Sequence, residues 1–144
     1  MKAIDKSIVI ALLNRILEEE LAGVVRYTHY SFMVFGHSRI PIVSWLRSQA
    51  AESLAHAHEA GEMITFLGGS PNLSTAPLKA LKRYGINDIL RESLKTERGA
   101  LDLYRELLAI VRDGYVALEE YARRMITAEE LHAGEVEKML RKPG

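Results

Sequence analysis

Four glutamates and two histidines are spaced so that they can bind metal ions together. Each of four predicted helices carries one glutamate near its middle, on a stripe of otherwise apolar residues, and two of these helices add a histidine one turn later. The residues are Glu20, Glu52, His56, Glu97, Glu129 and His132. Carboxylate oxygens and imidazole nitrogens are ligands that iron and manganese accept, and zinc also binds them. The sequence therefore predicts a metal site inside a helical protein.

Buried carboxylates need positive charge beside them. Burying an ionised carboxylate costs several kcal/mol even after relaxation, whereas a whole domain has about 5–15 kcal/mol of net stability. No lysine or arginine lies on the inward stripes beside the four glutamates. Two divalent cations would cancel four negative charges, and the two histidines would supply neutral nitrogen ligands.

The two halves of the chain repeat this pattern at a fixed distance. Three pairs are each separated by 77 residues: Glu20 and Glu97, Tyr27 and Tyr104, Glu52 and Glu129. A shared offset predicts that two helical hairpins are copies of one unit and meet about a two-fold axis. Tyr27 and Tyr104 either fill the bundle with their hydroxyls bonded to a ligand carboxylate, the favoured interpretation, or act as redox groups.

Glycine and proline divide the chain into four long amphipathic segments. Apolar residues recur at spacings of three and four, which is typical of helices, and the predicted helices span about residues 5–35, 41–67, 86–112 and 115–141. Short joins predict two antiparallel hairpins, and roughly seventeen residues from Gly68 to Gly85 form a long crossover. The expected fold class is all-α, a four-helix bundle in a single domain spanning 1–144.

The charge balance, the lack of cysteine and the lack of long apolar runs limit the possible partners and locations of the protein. Nineteen Lys and Arg balance nineteen Asp and Glu, so no nucleic-acid or membrane partner is indicated. The absence of cysteine excludes disulfides, thiolate zinc sites and a four-cysteine iron module. The segment Met1–Lys6 lacks a signal-type apolar run, and no later segment is long and apolar enough to span a membrane. We expect a cytoplasmic protein.

Several stretches are similar to one known family. Glu129-Glu130-Leu131-His132 is a Glu-x-x-His motif, and Asn14 to Tyr27 and Leu67 to Leu73 carry further similarity. Together they resemble the bacterioferritin and ferritin-like di-iron carboxylate proteins, in which two helices give one Glu each and two give Glu-x-x-His. The resemblance implies a ferritin-like bundle with two Fe ions per subunit, for which Mn or Zn can substitute.

The chain departs from the family at three places. Its second-helix motif is Glu52-x-x-x-His56, spaced by four residues rather than three, although both spacings lie on one helical face. The family's haem-ligating methionine is replaced by Ser53, or by Leu54 when the chains are aligned on His56, so we predict no haem. No fifth helix of the large ferritin cages follows Arg141.

The resemblance implies a ferroxidase that oxidises Fe(II) with O2 or H2O2 for iron storage or detoxification. Glu52 and Glu129 would bridge the metals, and Glu20 and Glu97 would be terminal ligands. One alternative is a non-storing di-iron oxidase or peroxide scavenger of the rubrerythrin type, with Tyr27 or Tyr104 near the oxidant. Another is a structural helical module held together by its metals.

Residues outside the inward stripes give further expectations. Glu59 is either a group that supports the ligands or an ion-transfer carboxylate, and Glu18-Glu19 and Glu119-Glu120 are expected to be solvated helix faces. Further apolar residues predict a surface buried in a homo-oligomer, at least a dimer and possibly a cage. They are Leu17, Leu21, Phe32, Met33, Phe35 and Leu46.

Overall fold

Four helices account for most of the chain. The computed structural model describes residues 3–143, so the parts of the predictions that bear on Met1, Lys2 and Gly144 lie outside the described residues. The helices are α1 (Lys6–Phe32), α2 (Arg39–Phe66), α3 (Ile86–Val111) and α4 (Val116–Leu140). All four predicted helices are confirmed, and no strand occurs within residues 3–143. None of the described helices is long and apolar enough to cross a membrane.

Local chemistry sets the helix ends. The Asp5 side chain caps α1 by accepting hydrogen bonds from the backbone N–H groups of Ser7 and Ile8. Pro41 lies in the first turn of α2, where the missing N–H removes no intrahelical bond. After α2, Gly68 takes a φ of +85° and Gly69 N–H donates to Ile64 O at 2.9 Å, which closes the helix as a left-handed glycine commonly does.

The crossover between α2 and α3 runs along α1 and is tied to it by side chains. The Asn14 carboxamide accepts from Asn72 N–H at 2.7 Å. The Glu18 carboxylate accepts from the Asn72 side chain at 3.0 Å and from the Ser74 hydroxyl at 3.1 Å, while Ala76 N–H donates to Glu18 O. The predicted long crossover is confirmed. Glu18, which was expected to lie on a solvated face, is partly exposed and also binds this segment.

The loop between α3 and α4 shows that Glu119 is more than a solvated surface residue. Asp113 adopts a φ of +61° between α3 and α4, a conformation that aspartate tolerates better than most residues. Glu119 accepts from Asp113 N–H at 3.3 Å and from Arg123 at 3.1 Å. Glu119 therefore stabilises the turn rather than serving only as a solvated face.

Apolar clusters fill the bundle on both sides of its polar middle. One cluster joins all four helices and includes Leu13, Ile64, Leu107 and Leu118. Two smaller clusters lie toward the other end, around Leu46 and around Leu90. Each fully buried side chain of this size contributes about 1.5–3 kcal/mol relative to an exposed one, so a rigid apolar frame holds the polar residues between the clusters.

The expected oligomer surface is smaller than the sequence suggested. Leu17 and Leu46 are buried in the core of this chain, and Leu21 and Met33 are half-buried. The expectation that Leu17 and Leu46 need a partner is wrong, because the bundle itself covers them, whereas it covers Leu21 and Met33 only in part. Phe32 and Phe35 do remain exposed, at 57% and 76%.

Candidate metal centre

Three predicted ligands from three different helices converge on one point. His56 Nδ1 lies 3.1 Å from Glu20 Oε2 and 3.1 Å from Glu129 Oε1. All three residues are buried, and one ligand atom from each lies within 4.8 Å of the others. This group, which we call the His56 half of the site, has two carboxylates and one imidazole facing a shared position.

A second pair lies beside it. Glu97 Oε1 is 3.8 Å from His132 Nε2, and both side chains are nearly buried. The Tyr27 hydroxyl donates to Glu97 Oε1 at 2.7 Å and lies 3.4 Å from His132 Nε2. We call Glu97 and His132 the His132 half of the site. Tyr27 orients its carboxylate, which agrees with the favoured interpretation of that tyrosine.

The indole of Trp45 packs against the His132 half. Its ring is stacked on the His132 ring, with 6.2 Å between centroids and 3° between planes, and it also meets Tyr27 edge-on at 6.5 Å. No motif in the sequence assigns Trp45 to the site. Trp45 lies seven residues, about two turns of helix, before Glu52, and its stacking partner comes from α4, so the sequence of α2 alone gives no signal of this contact.

Glu52 does not point into the bundle with the other glutamates. Its side chain is 45% exposed, and its nearest approach is 3.7 Å, from Oε1 to His56 Nε2. The buried position is the next one, Ser53. The expectation of four inward carboxylates is therefore wrong. On α2 the inward position lies three residues before His56, and a serine occupies it. The predicted ligand role of Glu52 stays a prediction for a rim residue.

Little free space remains among these side chains. A cavity of about 10 Å³ separates them, which is about the volume that one small probe sphere occupies. A Cβ atom on Gly23 would lie 2.9 Å from Ser53 Oγ, so any larger residue at position 23 would have to displace the Ser53 hydroxyl. The cavity is lined by Gln49, Glu52, Ser53, His56, Glu97, Glu129 and His132.

Burial perturbs the protonation of the site. Burial raises the pKa of Glu20 to about 7, and burial together with the neighbouring Glu129 raises the pKa of Glu97 to about 8. For His56, burial acts to lower the pKa, but hydrogen bonds and charge attraction from Glu129 and Glu20 outweigh it and raise the pKa to about 10. Near neutral pH a protonated His56 thus supplies the positive charge between two carboxylates.

One buried carboxylate oxygen has no partner. Glu129 is 3% exposed, and its Oε2 makes no hydrogen bond with any described residue. A buried acceptor without a partner costs about 1–3 kcal/mol, and more when it is charged. A cation coordinated by Glu129, Glu20 and His56 would satisfy this oxygen, so the residues present fit a divalent metal ion with oxygen and nitrogen ligands.

Tyr104 and Glu59 make no hydrogen bond to the ligand side chains within residues 3–143. Tyr104 is buried, its ring meets Tyr121 edge-on at 6.2 Å, and its hydroxyl has no hydrogen-bond partner among residues 3–143. Tyr104 therefore fills the bundle without the predicted bond to a carboxylate. Glu59 pairs with Arg124 at 2.8 Å, and both side chains are more than a third exposed. This ion pair belongs to the surface, and the two predicted roles for Glu59 stay untested.

Comparison with known proteins agrees with the geometry. A family model described as "Ferritin-like domain" matches residues 10–143. No curated protein sequence matches the chain. Among solved structures, a ferritin-like, diiron-carboxylate protein from Bacillus anthracis str. Ames is 22% identical with a TM-score of 0.90, and the match covers 97% of this chain and 100% of that one.

Two further solved structures are similar over nearly the whole bundle. The bacterioferritin-related protein from Bacteroides fragilis, described as a dodecameric thioferritin, is 21% identical with a TM-score of 0.87, covering 95% of this chain and 86% of that one. The bacterioferritin from Rhodobacter capsulatus, described with a metal-free dinuclear site and haem iron, is 26% identical with a TM-score of 0.81, covering 95% and 85%.

Proposed function

The chain belongs to the ferritin-like domain family, and from this premise we propose that it binds Fe(II) inside the bundle and oxidises it with O2 or H2O2. The iron is substrate in this reaction, which serves iron storage or detoxification. The observation that carries the proposal is the buried Glu129 carboxylate, which has an unpartnered oxygen and lies beside Glu20 and His56.

Different side chains would bind the two ions. Glu20, His56 and Glu129 hold one ion, and Glu97 and His132 hold a second one next to it, with Glu129 near both. Two Fe(II) ions would release one electron each and become Fe(III). With two protons from solvent, these electrons would reduce O2 to H2O2, or H2O2 to two water molecules. Tyr27 keeps the Glu97 carboxylate oriented through its hydrogen bond. The apolar clusters on both sides keep bulk water away from the ions. Mn or Zn can substitute for iron, and we propose no haem.

The assembly is proposed to be a homo-oligomer, at least a dimer, in the cytoplasm. Phe32 and Phe35 are exposed at the turn between α1 and α2. Exposed aromatic side chains of this kind are commonly covered by a partner. The similarity to the B. fragilis protein described as dodecameric supports a closed assembly of copies of this chain.

Rapid mixing of anaerobic Fe(II) protein with O2 or H2O2, followed by Fe(III) absorbance, tests the oxidation. We expect Glu20→Ala to slow oxidation at least about 100-fold, since it removes a ligand from the first ion. Glu135→Ala is the matched control, because Glu135 lies on the surface of α4 and its ion pair within residues 3–143 is with Lys138. Wild-type rates in Glu20→Ala would show that oxidation does not occur at this site.

Iron counting on the same protein separates storage from a non-storing oxidase. After aerobic loading with excess Fe(II), gel filtration with light scattering gives the size of the assembly and the iron content of the peak. Many iron atoms per subunit in a large assembly support storage. About two per subunit in a small oligomer would contradict storage and favour the peroxide-scavenging alternative.

A further inference from the structure

The two halves of the site do not carry the same ligands. Residues of α2 and α4 correspond at an offset of 76, which relates His56 to His132 and Ser53 to Glu129. Both members of the second pair are buried at the site, at 7% and 3% exposure. One hairpin therefore brings a carboxylate to this inward position, while the other brings an uncharged hydroxyl.

The charges of the interior follow from this difference. Glu20, Glu97 and Glu129 are the inward carboxylates, and their three negative charges fall short of the four positive charges of two divalent ions. The position between Glu20, His56 and Glu129 already has two carboxylates and one imidazole within ligand distance of each other. The position beside Glu97 and His132 has one carboxylate of its own.

We infer that the site binds two divalent cations unequally. The His56 half holds the first ion tightly, because Glu129 lies 3.1 Å from His56 and joins Glu20 there. The His132 half holds the second ion weakly, because it has Glu97 as its own carboxylate and Ser53 brings no further one. The inference rests on the proposed metal binding and adds the order in which the positions fill. The number of charged ligands is a main determinant of affinity for hard cations.

Neither Ser53 nor Glu52 restores the missing ligand. Ser53 Oγ lies so close to α1 that a Cβ atom added to Gly23 would be 2.9 Å from it, and a neutral hydroxyl adds no charge. Glu52 is 45% exposed and lies 3.7 Å from His56 Nε2 on the rim. Moving it inward would remove a hydrated carboxylate from solvent, so it contributes less than a carboxylate built at position 53 would.

The chain contains its own reporter for the second ion. Trp45 is the one tryptophan in the sequence, and its indole stacks on the His132 ring. A cation on His132 changes the ring that contacts the indole, so tryptophan emission reports on the His132 half. Within residues 3–143 the aromatic contacts of Trp45 are with Tyr27 and His132 and do not include His56.

Zn²⁺ is the probe for the test, since it binds the same ligands and has no redox chemistry. Metal-free protein is titrated with Zn²⁺ by calorimetry and, in parallel, by tryptophan emission. We expect one ion per subunit to bind first with little change in emission, and a second to bind at least tenfold more weakly with the main change in emission. Two ions of equal affinity would overturn the inference.

Three single-histidine variants assign the phases. His132→Ala should remove the weak phase and the emission change while the tight phase stays within threefold, and His56→Ala should remove the tight phase. His58→Ala is the matched control, since His58 is exposed on the same helix and should leave both phases unchanged. Loss of the tight phase in His132→Ala overturns the order proposed here. Absence of any Zn²⁺ binding that depends on His56 would instead overturn the proposed metal site itself.

Discussion

The two hairpins of the bundle are built alike and differ where the metal would be shared. Glu20 on α1 corresponds to Glu97 on α3, and His56 on α2 corresponds to His132 on α4. The correspondence fails at Ser53 and Glu129, and the Trp45 ring on one side faces a histidine while Tyr121 on the other side faces Tyr104. A repeated unit can thus keep its frame while its two copies acquire different ligands.

The largest effect should come from the carboxylates that the hairpins do not share. We expect Glu129→Gln to slow Fe(II) oxidation about 100-fold or more, because it removes the buried carboxylate that faces both halves. Glu52→Gln should slow it less than about threefold, since that side chain is 45% exposed at the rim. Initial rates at saturating Fe(II) check both variants, with circular dichroism melting as the control for folding. Equal losses in the two variants would show that the hairpins contribute equivalent ligands.

Placing a carboxylate at position 53 should reduce the difference in cation affinity between the two halves of the site. Ser53→Glu is expected to raise affinity for the second Zn²⁺ about tenfold, by analogy with the effect of charged ligand number on cation affinity. The tight fit against Gly23 should destabilise the metal-free protein by about 1–3 kcal/mol. Ser53→Gln has nearly the same size without the charge, so a similar gain in that variant would contradict the electrostatic explanation.

The pH dependence of stability tests the metal-free state of both hairpins. The pKa values of Glu20 and Glu97 rise to about 7 and 8 on folding, and that of His56 rises to about 10. The folded state therefore binds more protons than the unfolded state between about pH 4.5 and 10, with Glu20 and Glu97 contributing up to about pH 8 and His56 up to about pH 10, so stability should fall as pH rises through this range. The slope is at most about 1.4 kcal/mol per pH unit for each proton.

Chemical denaturation of metal-free protein at a series of pH values measures this slope. Glu97→Gln should flatten the part of the profile between pH 7 and 8, because it removes the carboxyl with the higher pKa. Saturating Zn²⁺ should flatten the whole profile, since a metal replaces the bound protons. A stability that increases with pH over this range would contradict the protonation described here.

The smallest effect distinguishes the two tyrosines. Tyr27→Phe removes a 2.7 Å hydrogen bond to a carboxylate and should destabilise the protein by about 1.5–3 kcal/mol if Glu97 is ionised, and by about 1 kcal/mol if it is protonated. Tyr104→Phe removes a buried hydroxyl that has no partner among residues 3–143, so its effect should be within about 0.5 kcal/mol of zero. Thermal melts of both variants at one pH measure the difference, and equal losses would contradict it.

Sequence periodicity is sufficient for the architecture and for several of the polar side chains that converge inside the bundle. The four helices and the long crossover followed from breaks at glycine and proline, because these residues act locally. Glu20, His56 and Glu129 were found because polar residues on an apolar stripe are conspicuous. Glu52 was placed inward because one offset of 77 was applied to all helices, whereas α2 and α4 correspond at 76.

Contacts between helices distant in sequence could not be predicted in the same way. The stacking of Trp45 on His132 depends on how α2 and α4 pack. The binding of Glu18 to the crossover depends on the path of a loop that has no periodicity of its own. Local patterns show which face of a helix is buried, but they do not show which residue of another element it meets.

The position of His56 between Glu20 and Glu129 also bears on how the protein matures. Many small metal-binding domains stay unfolded until their ion arrives. Here the protonated imidazole lies 3.1 Å from each of two carboxylates and takes the place of the ion as a temporary countercharge. Under the proposed function, a newly made chain would complete its bundle without iron and acquire the metal afterwards by exchanging protons for it.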